Sequence, residues 1–221
     1  TYTASELGDV TRGDFHQALI QEIAFSGQVL SSSGIQLGAL KSIFFGGGTP
    51  SLMAVDQISD ILTALRETHG IEPDAEITLE ANPDTVDGKY LEQLYASGIN
   101  RVSFGVQSFD REVLKTLDRT HNPEAVPEVV ELAKSLGLRV SIDLIFGAPG
   151  ESLDSWRRSV ETALALGTEH ISAYSLIVEP GTKLAARIKR GELPSVDEDL
   201  NAEKYEIAAE LIESAGLNCY E

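Results

Sequence analysis

SIFFGGGTP, residues 42–50, joins a short apolar run to three glycines, a threonine and a proline. An apolar run of this length is typical of a buried strand, and glycines after it form a turn where backbone approaches its neighbours closely. The next segment, 55–65, places apolar residues at helical spacing. Strand, glycine turn and helix in this order predict a βα unit.

The same unit recurs along the chain. Strands are predicted at 42–45, 76–80, 101–105, 139–146 and 170–176, and helices at 14–30, 55–65, 87–96, 122–136, 153–166 and 197–215. This alternation predicts parallel strands with right-handed crossovers, in an open doubly wound sheet or a (β/α) barrel. Several strands end in residues able to contact a ligand, namely Gly47, Glu80, Gln107 and Asp143. Sites built from many strand ends are typical of barrels, so the barrel is favoured.

Composition narrows the class of protein. The 221 residues carry 17 basic and 35 acidic side chains, a net charge of −18, which disfavours nucleic acid as the main partner. No apolar run reaches the length of a membrane span. Cys219 is the only cysteine, so an internal disulfide is excluded, and the first residues lack a signal-peptide pattern. We therefore expect a cytoplasmic protein of one domain.

The glycine turn and Glu80 are the first candidate site. Backbone groups of Gly47 and Gly48 approach a ligand where side chains would prevent contact, although a flexible turn is the alternative. Glu80 ends the run ITLE, where a carboxylate suits an ammonium group. A carboxylate that caps a helix or braces a loop is the competing interpretation.

Three further side chains offer complementary chemistry. Asp143 lies inside the apolar run VSIDLIF and needs a partner, such as a sugar hydroxyl or an arginine. Gln107 offers an amide at the end of the preceding strand, or alternatively bonds its own loop. Arg119 suits a carboxylate ligand, unless it is an exposed partner of Asp118 or Glu124.

The set as a whole suits an amino-acid–nucleoside ligand. It provides a carboxylate for an amine, an arginine for a carboxylate, and Gln and Asp for hydroxyls. His121 has the chemistry of a general base, but beside Asn122-Pro123 a structural role is favoured. Residues 174–177 are expected at the end of a strand, where they form the floor of a pocket or, alternatively, belong to the core.

Six motifs, in order along nearly the whole chain, carry a resemblance: FFGGGTPSLM, LEANPDTV, INRVSFGVQSF, LDRTH, IDLIFGAPGES and YSLIVEPGT. Together they resemble the oxygen-independent coproporphyrinogen III oxidase-like family of radical S-adenosylmethionine proteins. The sequences of LEANPD, DLIFGAPGES and YSLIVEPGT resemble those of the haem chaperone branch more closely than those of the oxidases.

The resemblance implies a partial (β/α)6 barrel, here without its first strand and the C-terminal domain, that holds S-adenosylmethionine against a [4Fe–4S] cluster. It implies that Glu80 and the backbone of Gly47, Gly48 and Thr49 meet the methionyl amine. The resemblance also implies that Arg119 binds the methionyl carboxylate. It implies that Gln107 and Asp143 bind the ribose and that the Ile177 backbone contacts the adenine.

The cluster is where this sequence departs from the family. Three thiolates are needed to hold it, and family members carry C-x-x-x-C-x-x-C upstream of the segment that matches residue 1. Cys219 alone does not replace these ligands. We therefore expect the ligating cysteines, and the C-terminal domain with its proposed haem segment, outside these 221 residues.

Three functions stay open. The first is a chaperone that binds haem and S-adenosylmethionine and delivers haem to recipient proteins. The second is an oxidase that decarboxylates coproporphyrinogen III through a 5′-deoxyadenosyl radical. The third is an unrelated barrel lyase or isomerase that uses Glu80 and His121. The resemblance favours the chaperone.

Overall fold

The structure is a computed structural model and describes residues 12–35 and 38–220, with the side chains of the first helix from Phe15 onward. Within these ranges the strands are β1 (Leu40–Phe45), β2 (Ile71–Ala81), β3 (Arg101–Gln107), β4 (Arg139–Phe146) and β5 (His170–Ser175). The helices are α1 (Arg12–Ser32), α2 (Val55–His69), α3 (Gly88–Ser97), α4 (Arg111–Thr116), α5 (Val126–Ser135), α6 (Leu153–Ala165), α7 (Lys183–Lys189) and α8 (Glu198–Ser214). Short 3₁₀ turns cover Pro50–Leu52 and Pro123–Ala125.

The five strands of the described residues follow chain order in one sheet, β1-β2-β3-β4-β5. β1 pairs parallel to β2 with Ile43 opposite Ile77, and β4 pairs parallel to β5 with Asp143 opposite Ser172. Parallel neighbours require a crossover, which the intervening helices supply. The predicted α/β repeat with parallel strands is confirmed.

The residues fall into two compact units. The first contains α1, β1, α2, β2, α3 and the start of β3, and the second contains the remainder of β3 and the elements from α4 to α8. The prediction of a single domain over residues 1–221 stays a prediction.

The first unit has its core along α2, β2 and α3. Fully or nearly fully buried side chains there include Ile58, Ile61, Leu62, Leu79 and Leu91. Burial of each such side chain contributes on the order of 1.5–3 kcal/mol, so this core fixes the end of β2 firmly.

The second unit is built around β4 and α6. Val140, Ile142 and Leu144 of β4 are almost fully buried, as is Trp156 of α6. The ring of Trp156 lies 5.4 Å, centroid to centroid, from that of Phe146. Packing against α6 therefore stabilises the carboxyl end of β4.

Four elements show the main differences from the sequence-based expectation. β2 begins at Ile71 rather than at Glu76, and its pairing with β1 is irregular between Leu40 and Ser42. The helix expected at 122–136 starts only at Val126, because Pro127 has no N–H for the intrahelical bond that an earlier start would need. The short helices α4 and α7 were not predicted.

No helix within the described ranges has both the length and the apolar character needed to cross a membrane. The cytoplasmic location stays a prediction.

Candidate functional site

The glycine turn contacts Glu80 in the first unit. The N–H of Gly47 donates to Oε2 of Glu80 over 3.3 Å, and Gly47 has a φ of +111°. A Cβ placed on Gly46 would lie 3.0 Å from the Phe44 ring and 3.3 Å from Oε1 of Glu80. Glycine is required here because a side chain would be strained at Gly47 and crowded at Gly46. The turn therefore brings the Gly47 N–H against a carboxylate.

The segment after the glycine turn is held by neighbouring hydroxyls. The hydroxyls of Ser51 and Thr85 lie 2.6 Å apart, and the Tyr90 hydroxyl donates to the Met53 carbonyl over 2.9 Å. Burial raises the pKa of Tyr90 to about 12, so the phenol stays protonated and able to donate. The Thr49 hydroxyl donates to the Gly48 carbonyl over 2.6 Å.

Asp143 has a partner in the second unit. The hydroxyl of Ser103 on β3 lies 3.0 and 3.1 Å from the two carboxylate oxygens of Asp143, and the Ser141 hydroxyl donates to Ser103 over 2.7 Å. The sequence predicted that an acid inside this apolar strand needs a partner, and the structure supplies a serine pair. An ionised carboxylate only accepts hydrogen bonds, so Asp143 has the chemistry to bind hydroxyl groups.

Gln107 ends β3 in an unusual backbone conformation. Its φ is +66°, a left-handed value rare for a residue other than glycine, and its side chain is buried. Strain of this kind clusters at ligand sites, although it does not by itself assign a ligand.

His121 is buried beside the end of β3 and hydrogen-bonds the Val106 backbone. Burial lowers the pKa of its imidazole below 6.5, the Asp84 carboxylate opposes this shift, and the Arg119 guanidinium adds to it. Nε2 is buried without a hydrogen-bond partner among the described residues. A ring nitrogen closed off from solvent favours the structural interpretation of His121 over that of a general base.

Arg119 contacts the segment that follows β2. Its guanidinium donates to the Oδ1 atom of Asn82 over 3.4 Å, and the neighbouring Thr120 hydroxyl donates to Asp84 over 3.1 Å. The LDRTH motif and the Asn82–Asp84 part of the LEANPDTV motif are therefore in contact within the second unit. Arg119 is half-buried, which strengthens its attraction for an anion relative to an exposed side chain.

The two acids that the sequence offered as alternative partners of Arg119 pair elsewhere. Asp118 accepts from Lys183 over 2.6 Å, and Glu124 pairs with Arg111. The interpretation of Arg119 as their exposed partner loses its support.

Ile177 follows β5 and is 75% exposed. The preceding residue, Leu176, donates its N–H to the Phe146 carbonyl over 2.8 Å and so ties this segment to the end of β4. Tyr174 is 58% exposed, so residues 174–177 do not belong to the core.

Three of the hydrogen bonds described above involve predicted site residues: Gly47 with Glu80, Ser103 with Asp143, and Arg119 with Asn82. Sequence reasoning missed Ser103 and Asn82. The signal for Ser103 was available, because it is a polar residue inside an apolar strand, as Asp143 is.

The described residues contain no group of three or more His, Cys, Asp or Glu side chains placed to hold a metal ion. Cys219 is exposed. One thiolate does not supply the three that a [4Fe–4S] cluster requires, so the residues of this sequence do not by themselves fit the cluster.

Comparison with known proteins identifies the family. Residues 31–163 match the family model of the Radical SAM superfamily. The chain is 38% identical over 222 residues to the heme chaperone HemW of Mycobacterium tuberculosis (strain H37Rv), a match that covers 100% of this chain and 56% of the relative. It is 36% identical over 217 residues to HemW of Escherichia coli (strain K12), with 97% of this chain and 54% of the relative covered. The chain thus spans about half the length of the curated relatives it matches.

A solved structure shares the fold. Coproporphyrinogen III oxidase (HemN) from Escherichia coli, described as a radical SAM enzyme, superposes with a TM-score of 0.80 at 27% identity, covering 94% of this chain and 48% of that one. The predicted partial barrel and the predicted resemblance to the haem chaperone branch are confirmed, and the unrelated barrel lyase or isomerase is discarded. The chain belongs to the radical SAM superfamily.

Proposed function

We propose that this chain binds S-adenosylmethionine, the ligand that membership of the superfamily implies. The observation that carries the proposal is the Glu80 carboxylate held against the Gly47 N–H by the glycine turn. Glu80 and the backbone carbonyls of Gly47, Gly48 and Thr49 bind the methionyl ammonium. An ammonium has three donors and a charge opposite to that of the carboxylate, which makes these bonds charge-assisted.

Other side chains bind the remaining groups of the ligand. Arg119 binds the methionyl carboxylate, for which its planar guanidinium offers two parallel donors. Asp143 and Gln107 bind the ribose hydroxyls, and the Ile177 backbone contacts the adenine. The Ser103 hydroxyl orients the Asp143 carboxylate, which then accepts from the ribose without turning.

Superfamily membership also implies a [4Fe–4S] cluster, which when bound supplies the electron for reductive cleavage of S-adenosylmethionine. The single cysteine of this sequence does not hold it. The roles proposed for this chain are therefore to bind and orient the ligand.

Calorimetric titration of S-adenosylmethionine into the full-length protein tests the proposal. Arg119→Ala is expected to weaken binding by on the order of 1.5–3 kcal/mol, the range for hydrogen bonds to charged groups. Arg139→Ala is the matched control, because Arg139 begins β4 and pairs with Glu169, at the end of the strand opposite to its carboxyl end. Equal affinities of Arg119→Ala and the unaltered protein contradict the assignment.

For the whole protein we propose a haem chaperone that binds haem and delivers it to haem proteins. Similarity to HemW from two bacteria, at 36–38% identity, supports this function. The alternative is oxidative decarboxylation of coproporphyrinogen III, which the structural similarity to HemN favours.

One experiment separates the two functions. The full-length protein, reconstituted anaerobically with iron and sulfide, is incubated with reductant, S-adenosylmethionine and coproporphyrinogen III, and porphyrins and 5′-deoxyadenosine are followed by chromatography. A parallel titration with haem is followed by absorption. Saturable haem binding without decarboxylation supports the chaperone, whereas a decarboxylated porphyrinogen overturns it in favour of the oxidase.

A further inference from the structure

A buried ion pair links α8 to the segment that follows β4. Nζ of Lys204 lies 3.0 Å from Oε2 of Glu151, and the two side chains are 1% and 0% exposed. Removing two charges from water costs several kcal/mol each, and apolar residues of similar size are often as stable. Stability alone therefore does not account for the pair, and the question is what conformation it imposes.

The pair acts on the turn at the carboxyl end of β4. Oε2 of Glu151, the oxygen that Lys204 contacts, also accepts from the Gly147 N–H over 2.9 Å. Gly147 follows Phe146, the last residue of β4, and has a φ of +86°. A Cβ on Gly147 would lie 2.6 Å from Oδ1 of Asn201, so α8 packs directly on this glycine.

Two more bonds extend this connection. The Trp156 indole donates to the Lys204 carbonyl over 2.8 Å, and its ring contacts Phe146. The Phe146 carbonyl accepts from the Leu176 N–H over 2.8 Å, directly before Ile177. Lys204 thereby connects, through Glu151 and through Trp156, to the ends of both β4 and β5.

A cavity of about 300 Å³ lies beside the turn, bordered by residues 147–151, 194–197, Leu200, Asn201 and Lys204. Asn201 packs against the turn at Gly147, and the cavity borders the rest of the turn. A turn next to open space keeps one conformation only if specific bonds hold it. Here the Gly147 N–H donates to the Glu151 carboxylate, and the Glu151 N–H donates to the Ala148 carbonyl over 3.0 Å.

We propose that Lys204 is a positioning residue. Through Glu151 it fixes the Gly147 turn, and with it the carboxyl-terminal half of β4 that contains Asp143 and the segment after β5 that contains Ile177. In this conformation the two residues receive the nucleoside half of S-adenosylmethionine. This role rests on the proposed function. It assigns to a helix distant in sequence from the six motifs a part in ligand affinity.

The test uses the full-length protein with a double variant, Lys204→Met with Glu151→Leu. Both charges are replaced by apolar side chains of similar length, so the fold is expected to persist while the bond to the Gly147 N–H is lost. The single variant Lys204→Met tests whether Lys204 acts through Glu151. The matched control is Ala208→Gly, which weakens α8 one turn further on and keeps both charged side chains.

Two measurements are made on each variant. Amide hydrogen exchange of the peptide that contains Gly147 is expected to accelerate in the double variant and to stay unchanged in Ala208→Gly. Calorimetric affinities for S-adenosylmethionine and for 5′-deoxyadenosine are expected to fall by the same factor, about tenfold, as for other residues that orient direct ligands. Glu80→Gln is expected to lower the first affinity only, because 5′-deoxyadenosine has no ammonium.

Each outcome is decisive. If the unaltered protein binds S-adenosylmethionine but the double variant keeps both affinities and the protection of Gly147, the positioning role is wrong while the proposed function stands. If the unaltered protein binds neither probe, the proposed function fails, and the role that rests on it fails as well.

Discussion

Glu80→Gln removes one negative charge from the glycine-turn site and almost nothing else. The glutamine has the same shape, and its amide oxygen can still accept from the Gly47 N–H, which now lies 3.3 Å from the carboxylate. The turn is therefore expected to keep its conformation. What is lost is the attraction between the carboxylate and the ammonium of the ligand.

The size of the loss follows from the type of bond. A hydrogen bond to a charged group contributes about 1.5–3 kcal/mol, and each 1.4 kcal/mol is about tenfold in a dissociation constant. Glu80→Gln is therefore expected to weaken S-adenosylmethionine binding by about 10- to 150-fold. Glu80 is half-buried, so solvent screens this interaction less than at an exposed site.

Isothermal titration calorimetry of the full-length protein provides the assay, with Glu76→Gln as control. Glu76 lies four residues earlier on β2, about 13 Å along a strand, and pairs with Arg101 over 3.1 Å. The same change of charge on the same strand is expected to leave the affinity unaltered. An unaltered affinity in Glu80→Gln, or an equal loss in both variants, would refute the reasoning.

Three other predictions follow from single side chains. Asp143→Asn is expected to weaken 5′-deoxyadenosine binding about tenfold in calorimetry, because a ribose hydroxyl loses a charged acceptor. Burial lowers the pKa of His121 in the folded protein, so the imidazole binds more protons in the unfolded chain. The free energy of unfolding is therefore expected to rise with pH, up to about pH 6.5, more steeply in the unaltered protein than in His121→Asn. Urea titrations at several pH values measure this difference. Tyr90→Phe is expected to cost about 1 kcal/mol in the same assay, because the Met53 carbonyl loses its donor.

Each of these has a contradicting result. An Asp143→Asn protein with unchanged nucleoside affinity would remove the ribose assignment. Identical pH dependence of stability in His121→Asn and the unaltered protein would show that His121 has the same pKa folded and unfolded. A loss in Tyr90→Phe no greater than in Tyr95→Phe, a tyrosine that is 49% exposed, would show that the hydroxyl of Tyr90 does not stabilise the loop.

Periodicity predicted the elements whose signal is local. β4 was predicted at 139–146 and observed with the same bounds, because it is rich in apolar and β-branched residues and glycines lie close to both of its ends. β2 was predicted five residues too short at its start, since Pro73 and Asp74 are disfavoured in strands. The irregular pairing with β1 near Ile71 accommodates these residues, and sequence alone does not reveal it.

Chemistry predicted which side chains need partners but not which partners they find. Asp143 in an apolar strand was expected to be bonded, yet its partner Ser103 lies 40 residues earlier, and only the alignment of two strands joins them. The Lys204–Glu151 pair was not predicted at all, because a lysine in a helix as charged as α8 has the appearance of a surface residue. Long-range pairing depends on tertiary packing, which residue type does not encode.

A crystal structure of the full-length protein with S-adenosylmethionine bound tests the site assignment most directly. The methionyl ammonium is expected on Glu80 and the Gly47 carbonyl, the methionyl carboxylate on Arg119, and the ribose on Asp143. A ligand bound in another place, with Glu80 and Arg119 keeping their present contacts and touching none of its groups, would contradict it.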